Sequence, residues 1–472
     1  MSIGSNVLVT GSSLTHVEGD YIVHAGGSKN ALAFEQFVED HVVAGALHNS
    51  EEVSDQPKCH PGTRVAILDH LIAWATALTI AIPIIWLHGP AGAGKSAILR
   101  TIAQNLSDSG HLLASFFFFR SAAGRNTSDH LIATIAYQLT LAIPATRQYI
   151  VEALERNPLL FSLSLWDQAK ALIISPLLLV SNQPSWDSGQ FPRVIVIDGL
   201  DECYDPRKQA NILEALCRIL QELPIPFAIL VASRPEHHIR SEFGVGNLNR
   251  MSSRLALDDS YNPDADIKKY LVERFKAVQD NHPLNFCLPT SVPWPSREVV
   301  DHLVAKASGQ FIYVSTIDKF VSSSRHNPAK RLDMILGTIS AGNLRPFEQL
   351  DNLYSVIFST VDPANLIATL RVLCVLLVPH STNADHSPKF IEWLLNLETG
   401  DTRSLLLDLE SLLTIGKPHE SVIFFHASLG DYLLDRSRSD QFYIDAGMVY
   451  ADLAQHCVIH LTRKKYGAGN YP

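Results

Sequence analysis

The sequence has little charge, no basic excess and no paired cysteines, and each shortage excludes a class of protein. Only 18% of its 472 residues are charged and 46% are hydrophobic, which excludes a chain that is disordered throughout. Lys and Arg number 38 against 48 Asp and Glu, and this net charge of −10 argues against nucleic acid or an anionic membrane as the main partner. The six cysteines include no CxxC pair, and the N-terminus lacks the features of a signal peptide, so we expect reduced thiols in a cytosolic protein.

One uncharged run is long enough to consider as a membrane span. Residues 71–87, LIAWATALTIAIPIIWL, reach the lower edge of the length that crosses a bilayer. Pro83 divides the run, and its second half leads directly into a glycine-rich loop that needs a strand in front of it. We therefore expect a strand here, with a membrane span as the alternative.

Apolar segments alternate with amphipathic helical segments through the first half of the chain. The strand-like segments are IIWLHG, LLASFFFF, RVIVIDG and FAILVAS. Strands that are apolar throughout and are separated by amphipathic helices indicate a parallel sheet covered on both faces, so the predicted fold class is α/β. After Arg234 the pattern becomes mainly helical, up to a strand-like run and helix in VIFFHASLGDYLL.

A phosphate-binding loop is predicted between the first of these strands and the next helix. GPAGAGKS fits the pattern G-x-x-x-x-G-K-[ST] in the required strand-to-helix context. Glycines let successive backbone N–H groups face a phosphate, Lys95 supplies a positive charge to the β- and γ-phosphates, and the Ser96 hydroxyl is placed to ligate Mg²⁺. The predicted nucleotide-binding residues of this loop are Gly89, Pro90, Ala91, Gly92, Ala93, Gly94, Lys95, Ser96 and Ala97.

Acidic residues follow the third apolar strand, where they can act beside a phosphate loop. Asp198 is expected to hold Mg²⁺, and Glu202 or Asp201 to orient or deprotonate an attacking water. The alternative is a buried strand that ends in a solvated acidic turn.

Two arginines follow other strands of the predicted sheet. Arg234, after FAILVAS, would point towards a γ-phosphate, or would instead satisfy a carboxylate at the strand end. Arg120 follows the FFFF strand, and we expect it at the surface, with a phosphate contact as the alternative.

Three motifs together, GPAGAGKS, VIVIDGLDEC and LVASRPE, resemble the NACHT domain of the STAND class of signalling NTPases, in the form found in fungal relatives of NOD-like receptors. In that family a small residue and two acids follow the Mg²⁺-binding aspartate, and Gly199, Asp201 and Glu202 match them. The resemblance implies ATP/ADP and Mg²⁺ as cofactors and a role in signal transduction of the innate-immunity type.

The resemblance extends to softer motifs on either side. CHPGTR resembles the family's lead-in segment and makes Arg64, with Gly62 and Thr63, a candidate for the adenine side of the pocket. SGQFIYVSTIDKFV resembles the helical lid, although it lacks the Gly-Leu-Pro of plant relatives. VIFFHASLGDYLLD resembles the end of the winged-helix domain, in which a histidine, here His426, reaches the diphosphate of ADP; a core histidine is the alternative.

The resemblance implies the following domains: an N-terminal tail (1–55), a lead-in helix (56–83), a P-loop NTPase core (84–245), a helical lid (246–345), a winged-helix domain (346–440) and a C-terminal helix and tail (441–472). It further implies a switch that is closed with ADP, self-associates with ATP and hydrolyses ATP slowly. We expect no nucleic-acid or membrane partner. No repeat domain follows, so we expect either a truncated product or an unknown partner that serves as sensor or effector. The alternatives are a nucleotide-binding scaffold without turnover and a nucleic-acid-stimulated ATPase.

Overall fold

The architecture is that of a computed structural model. The structure describes residues 29–51, 58–77, 79–120, 122–183, 192–223, 226–257, 261–338, 346–377, 386–426, 428–445, 447, 450–451, 453–456 and 458. The predictions for residues 1–28 and for the end of the C-terminal tail lie outside these residues.

A five-stranded parallel sheet forms the centre of the first half of the chain. Its strands are β1 Ile84–His88, β2 Leu112–Phe117, β3 Val194–Asp198, β4 Ala228–Ser233 and β5 Ser252–Ala256. They lie in the order β2-β3-β4-β1-β5, and every pairing is parallel. The α/β fold with a parallel sheet is thus confirmed, and β4 lies between the strands that lead to the phosphate loop and to Asp198.

The helices complete the architecture. Within the described residues they are α1 Lys29–His41, α2 Val65–Thr76, α3 Lys95–Asp108, α4 Leu131–Ala142, α5 Arg147–Arg156, α6 Leu165–Ala169, α7 Ser175–Ser181, α8 Pro206–Glu222, α9 His237–Glu242, α10 Gly246–Met251, α11 Pro263–Asn281, α12 Arg297–Ala307, α13 Phe311–Val321, α14 Pro328–Thr338, α15 Pro346–Phe358, α16 Leu366–Leu377, α17 Pro388–Leu395, α18 Asp401–Leu406, α19 Ser428–Leu433 and α20 Arg436–Ser439.

Both faces of the sheet are buried under helices, as the apolar strands require. In β3, Ile195 and Ile197 belong to one hydrophobic core, whereas Val194 and Val196 belong to a second core on the opposite face. Side chains alternate between the two faces of a strand, so a strand that is covered on both sides reads as a continuous apolar run. The sequence pattern follows directly from this double coverage.

The edge strand β5 lies in the segment predicted as lid. The sheet therefore extends beyond residue 245, because Ser252–Ala256 pairs with β1 along its length. The sequence SSRLA carries no apolar run, since β5 lies at the sheet edge and its residues are only partly buried or exposed. For this reason the pattern of apolar residues in the sequence did not predict strand β5.

Part of the predicted N-terminal tail is packed structure. Helix α1 buries Phe34 and Phe37 in the core under the sheet, so residues 29–51 are not a tail. The two phenylalanines are three residues apart and lie on one helical face, where they contribute apolar area to the core.

The second half of the described chain is mainly helical around a third hydrophobic core. Helices α11 to α19 share this core with a short antiparallel pair, β6 Leu413–Thr414 and β7 Ile423–Phe424. The strand-then-helix interpretation of VIFFHASLGDYLL agrees with β7 and α19. The assignment of this region to a winged-helix domain stays a prediction.

The uncharged run at residues 71–87 is divided between two elements. Its first part belongs to α2, which ends at Thr76, and its last part forms β1 inside the sheet. Across the described residues, no helix combines the length and the apolar character needed to cross a membrane.

Candidate functional site

The loop from Gly89 to Gly94 joins the end of β1 to the start of α3. Gly92 and Gly94 have φ values of +77° and +90°, which residues other than glycine rarely adopt. A Cβ on Gly92 would lie 2.1 Å from Cγ2 of Ile312 at the start of α13, and the Ile312 N–H donates to the Gly92 carbonyl oxygen at 3.3 Å. The glycines therefore serve two purposes: they turn the loop, and they let α13 approach it.

Lys95 begins helix α3 and lies against the loop that it follows. Its Nζ donates to the carbonyl oxygens of Gly89 at 2.8 Å and Pro90 at 2.9 Å. Burial lowers the pKa of Lys95, and nearby Asp201 partly offsets that effect. A phosphate at the N-terminus of α3 would give this ammonium an anionic partner in place of neutral carbonyls.

Asp198 ends β3 and is 3% exposed. Within the described part of the chain its Oδ1 makes no hydrogen bond, and Ser96 hydrogen-bonds to its side chain. Burial raises its pKa, opposed by the Ser96 hydrogen bond and by the positive charges of Arg100 and Lys95. A buried carboxylate oxygen beside a hydroxyl is the oxygen donor set that Mg²⁺ prefers, so the residues present fit this ion.

Asp201 and Glu202 lie in the turn after β3, and each has a defined partner. The backbone N–H of Arg234 donates to Asp201 Oδ1 at 2.9 Å, and Nε of the same arginine lies 3.3 Å from Asp201 Oδ2. Glu202 Oε2 accepts the backbone N–H of Arg120 at 3.0 Å. Burial and the neighbouring Asp201 charge raise the pKa of Glu202 to about 7.

Arg64, the residue before helix α2, lies beside the phosphate loop. Its guanidinium donates to the Ala93 carbonyl oxygen at 3.0 Å and lies 4.9 Å from the centre of the Phe311 ring. Its backbone adopts φ +57°, and its N–H donates to Asp266 at 2.8 Å. The carboxylate of Asp266 thus holds Arg64 in a conformation that is unusual for a residue with a side chain.

His426 reaches the same cavity from the C-terminal half of the chain. Its Nδ1 accepts the backbone N–H of Ser428 at 3.0 Å, which assigns the proton of the neutral ring to Nε2. Burial, together with the positive charges of Arg234 and Lys95, lowers the pKa of His426 to about 3. The ring is therefore neutral at physiological pH and carries one N–H donor.

A single cavity of about 220 Å³ brings most of the predicted residues together. Its walls include Lys95, Ser96, Asp198, Asp201, Glu202, Arg234, Arg64, His426 and the loop residues Ala91, Gly92, Gly94 and Ala97. Gly89, Pro90 and Ala93 do not line it; they contribute the carbonyl oxygens that hold Lys95 and Arg64.

Sequence reasoning missed several residues at this site. Tyr270, Phe311, Lys319 and Phe425 also line the cavity. Asp431 forms ion pairs with Arg234 at 2.8 Å and with Arg120 at 3.3 Å. The available signal for Asp431 was its place five residues after His426, on the helix that follows the histidine, although nothing in that spacing indicates which arginine it meets.

A family model described as Nephrocystin 3, N-terminal, matches residues 62–234. No curated protein sequence matches the chain. Among solved structures, a STAND protein with a tetratricopeptide repeat sensor from Pyrococcus horikoshii is similar, with 12% identity and a TM-score of 0.44 over 87% of this chain and 46% of that one. The chain thus spans about half the length of that protein.

Two further solved structures are similar at the same low level. Cdc6p from Pyrobaculum aerophilum has 14% identity and a TM-score of 0.39, over 85% of this chain and 97% of that one. Drosophila ORC bound to DNA has 11% identity and a TM-score of 0.37, over 81% and 95% of the two chains.

The prediction that nucleic acid is not a partner is wrong. The finding against it is that the solved structures similar to this chain include Drosophila ORC bound to DNA, at 11% identity and a TM-score of 0.37. The physical reason is that a net charge of −10 is a sum over the whole chain and does not describe the charge of any one face.

The match over residues 62–234 begins in the lead-in segment and ends at Arg234, so it contains GPAGAGKS and VIVIDGLDEC in full and LVASRPE as far as its arginine. The resemblance of this region to STAND-class NTPases is thereby confirmed.

Proposed function

We propose that the chain is an ATP/ADP-binding signalling switch that is closed with ADP, self-associates with ATP and hydrolyses ATP slowly. The observation that carries the proposal is the joint construction of one cavity, to which helix α3 contributes Lys95, strand β3 contributes Asp198 and the C-terminal half contributes His426. A ligand that contacts both halves links its own binding to their arrangement.

Each residue has a role that follows from its chemistry. Lys95 and the N-terminus of α3 hold the β-phosphate, and Ser96 and Asp198 hold Mg²⁺, which when bound neutralises phosphate charge. Glu202 accepts a proton from water. Arg64, beside the Phe311 ring, lies where the base would stack.

His426 is the proposed contact between the closed form and ADP. Its neutral ring has one N–H donor at Nε2, because Nδ1 is already occupied by Ser428. A donor that meets the diphosphate only when the two halves are together stabilises the closed form with ADP.

The rate of ADP release from a His426→Ala variant tests the switch. A coupling free energy of about 1–3 kcal/mol is typical, so we expect release to accelerate roughly 5- to 150-fold and self-association with ATP to increase. Tyr432→Phe is the matched control, because it removes the 2.8 Å hydrogen bond to Ser355 in the same half of the chain and leaves the contact between His426 and Ser428 in place. Stopped-flow release of a fluorescent ADP and light scattering give the two readouts.

A packing role for His426 makes a different prediction. The variant would then unfold at a lower temperature with and without nucleotide, and its ADP release rate would equal that of the wild type. That result would contradict the proposed contact between His426 and ADP. Measuring phosphate release with and without DNA in the same series separates a slow switch, a scaffold without turnover and a nucleic-acid-stimulated ATPase.

A further inference from the structure

The carboxylate of Asp431 lies between two guanidinium groups at the rim of the cavity. Its Oδ2 is 2.8 Å from Nη1 of Arg234, and its Oδ1 is 3.3 Å from Nη1 of Arg120. Arg234 follows β4 and Arg120 follows β2, whereas Asp431 belongs to α19 in the C-terminal half. Both oxygens of one carboxylate therefore join two strand ends of the sheet to the other half of the chain.

The two arginines are held in place by groups other than Asp431. Nε of Arg234 lies 3.3 Å from Asp201 Oδ2, and the Arg120 guanidinium also donates to the Asp201 carbonyl oxygen at 3.4 Å. Departure of Asp431 would thus leave two positioned guanidinium groups facing one point. Two guanidinium groups that bind a carboxylate can also bind phosphate oxygens, since both anions accept charge-assisted hydrogen bonds from the N–H groups of arginine.

The position of this point relative to the phosphate loop indicates which anion it fits. Arg234 lines the same cavity as Lys95, and the two positive charges are close enough that Arg234 contributes to lowering the Lys95 pKa. Glu202, the proposed base, is held by the Arg120 backbone. The point between the arginines thus lies beside Asp201 and Glu202, the candidate hydrolytic acids, which would act next to the terminal phosphate of a triphosphate.

We propose that Arg120 and Arg234 together bind the terminal phosphate of a nucleoside triphosphate, and that the Asp431 carboxylate takes the place of this phosphate in the closed chain. The inference rests on the proposed nucleotide function and deepens it, because it assigns roles to Arg120 and Asp431. The arginines exchange one anion for the other, so a triphosphate separates α19 from the sheet, whereas a diphosphate leaves the Asp431 contacts intact.

Opposite effects of two substitutions distinguish this exchange from a simple contact between halves. Asp431→Asn and Arg120→Gln break the same ion pair, so a purely structural contact would respond to both in the same direction. The exchange predicts that Asp431→Asn removes the competitor of the triphosphate, whereas Arg120→Gln removes one of its ligands. Arg120→Gln keeps the backbone N–H that holds Glu202, so the positioning of the base is retained.

The experiment measures the dissociation constants of ADP and of a non-hydrolysable ATP analogue with Mg²⁺, by calorimetry on the full chain. We expect Asp431→Asn to shift the preference towards the triphosphate by about 5- to 150-fold and Arg120→Gln to shift it at least about fivefold towards ADP. Asp351→Asn is the control. It breaks the Arg438 pair in the same half, at 2.7 Å and similarly sheltered from solvent, and should leave the preference unchanged.

Thermal unfolding without nucleotide provides a second readout. Both variants should lower the unfolding temperature, Asp431→Asn by more than Arg120→Gln, since Asp431→Asn breaks both ion pairs and Arg120→Gln only one of them. Shifts in nucleotide preference that are absent, or that have the same sign for both variants, would overturn this inference while leaving nucleotide binding intact. A wild-type chain that binds neither nucleotide would overturn the proposed function and this inference together.

Discussion

Asp201 and Glu202 are adjacent acids that lie in different surroundings. Both carboxylate oxygens of Asp201 contact Arg234, one through the backbone N–H and one through Nε. Glu202 is held by a backbone N–H, and its pKa is raised to about 7 by burial and by Asp201. A carboxyl group whose pKa lies near the working pH suits a general base, so Glu202 is the better candidate and Asp201 orients Arg234.

The pH dependence of hydrolysis tests this assignment. The base must be deprotonated, so the rate should rise as pH increases through about 7, a range in which the carboxyl group of a solvent-exposed Glu is already fully ionised. Glu202→Gln should retain Mg²⁺-dependent ATP binding and lose hydrolysis by about 10²- to 10⁴-fold. Phosphate release across this pH range measures both the pH dependence and the loss of hydrolysis. Equal hydrolysis rates for the wild type and Glu202→Gln would assign the role of general base to Asp201 or to neither acid.

At the scale of elements, the contact between the phosphate loop and the start of α13 connects the nucleotide cavity to the helical region. Ile312 lies so close to Gly92 that a side chain there would collide with it, and the two residues also share a backbone hydrogen bond. The glycine is thus required for packing as well as for the turn.

Gly92→Ala should therefore destabilise the chain more than an equivalent change elsewhere. Gly110→Ala is the matched control, because Gly110 has φ +72° and open space around it, against φ +77° and the Ile312 contact for Gly92. Gly110→Ala should lower the free energy of unfolding by about 1–2 kcal/mol, because alanine is strained in the left-handed backbone conformation. Gly92→Ala should lower it by a further amount of roughly 1–3 kcal/mol, because the new Cβ collides with Ile312. Urea unfolding measures the difference, and Gly92→Ala/Ile312→Ala should recover part of it. Equal costs for the two single changes would show that the contact does not constrain the loop.

The elements at this site differ in how far their sequence predicts them. The loop, β3 and β4 are local patterns of glycines or apolar runs with a polar end, so their type and their common edge follow from the sequence. The strand β5 and the helix α1 do not, because their stability comes from pairing with β1 and from packing under the sheet. The Asp431 ion pairs join residues 197 and 311 positions apart, and no local pattern reports such a separation.

At the scale of the whole molecule, the cavity lies where the sheet meets the mainly helical half. Residues of the second half reach the cavity and its surroundings: Ile312 contacts the loop, His426 lines the cavity, and Asp431 pairs with Arg234. A nucleotide in this cavity would touch both halves at once, which is the requirement for binding to control their arrangement. Control of this arrangement by nucleotide therefore requires that the cavity bind nucleotide.

Calorimetric titration of ADP and Mg²⁺-ATP into the wild-type chain and a Lys95→Ala variant tests whether the cavity binds nucleotide. Because the Lys95 ammonium is partly buried beside the loop, its removal should weaken both nucleotides at least about tenfold, or 1.4 kcal/mol, while circular dichroism stays that of a folded protein. Wild-type protein that binds neither nucleotide, or equal affinities for the two folded proteins, would contradict the account.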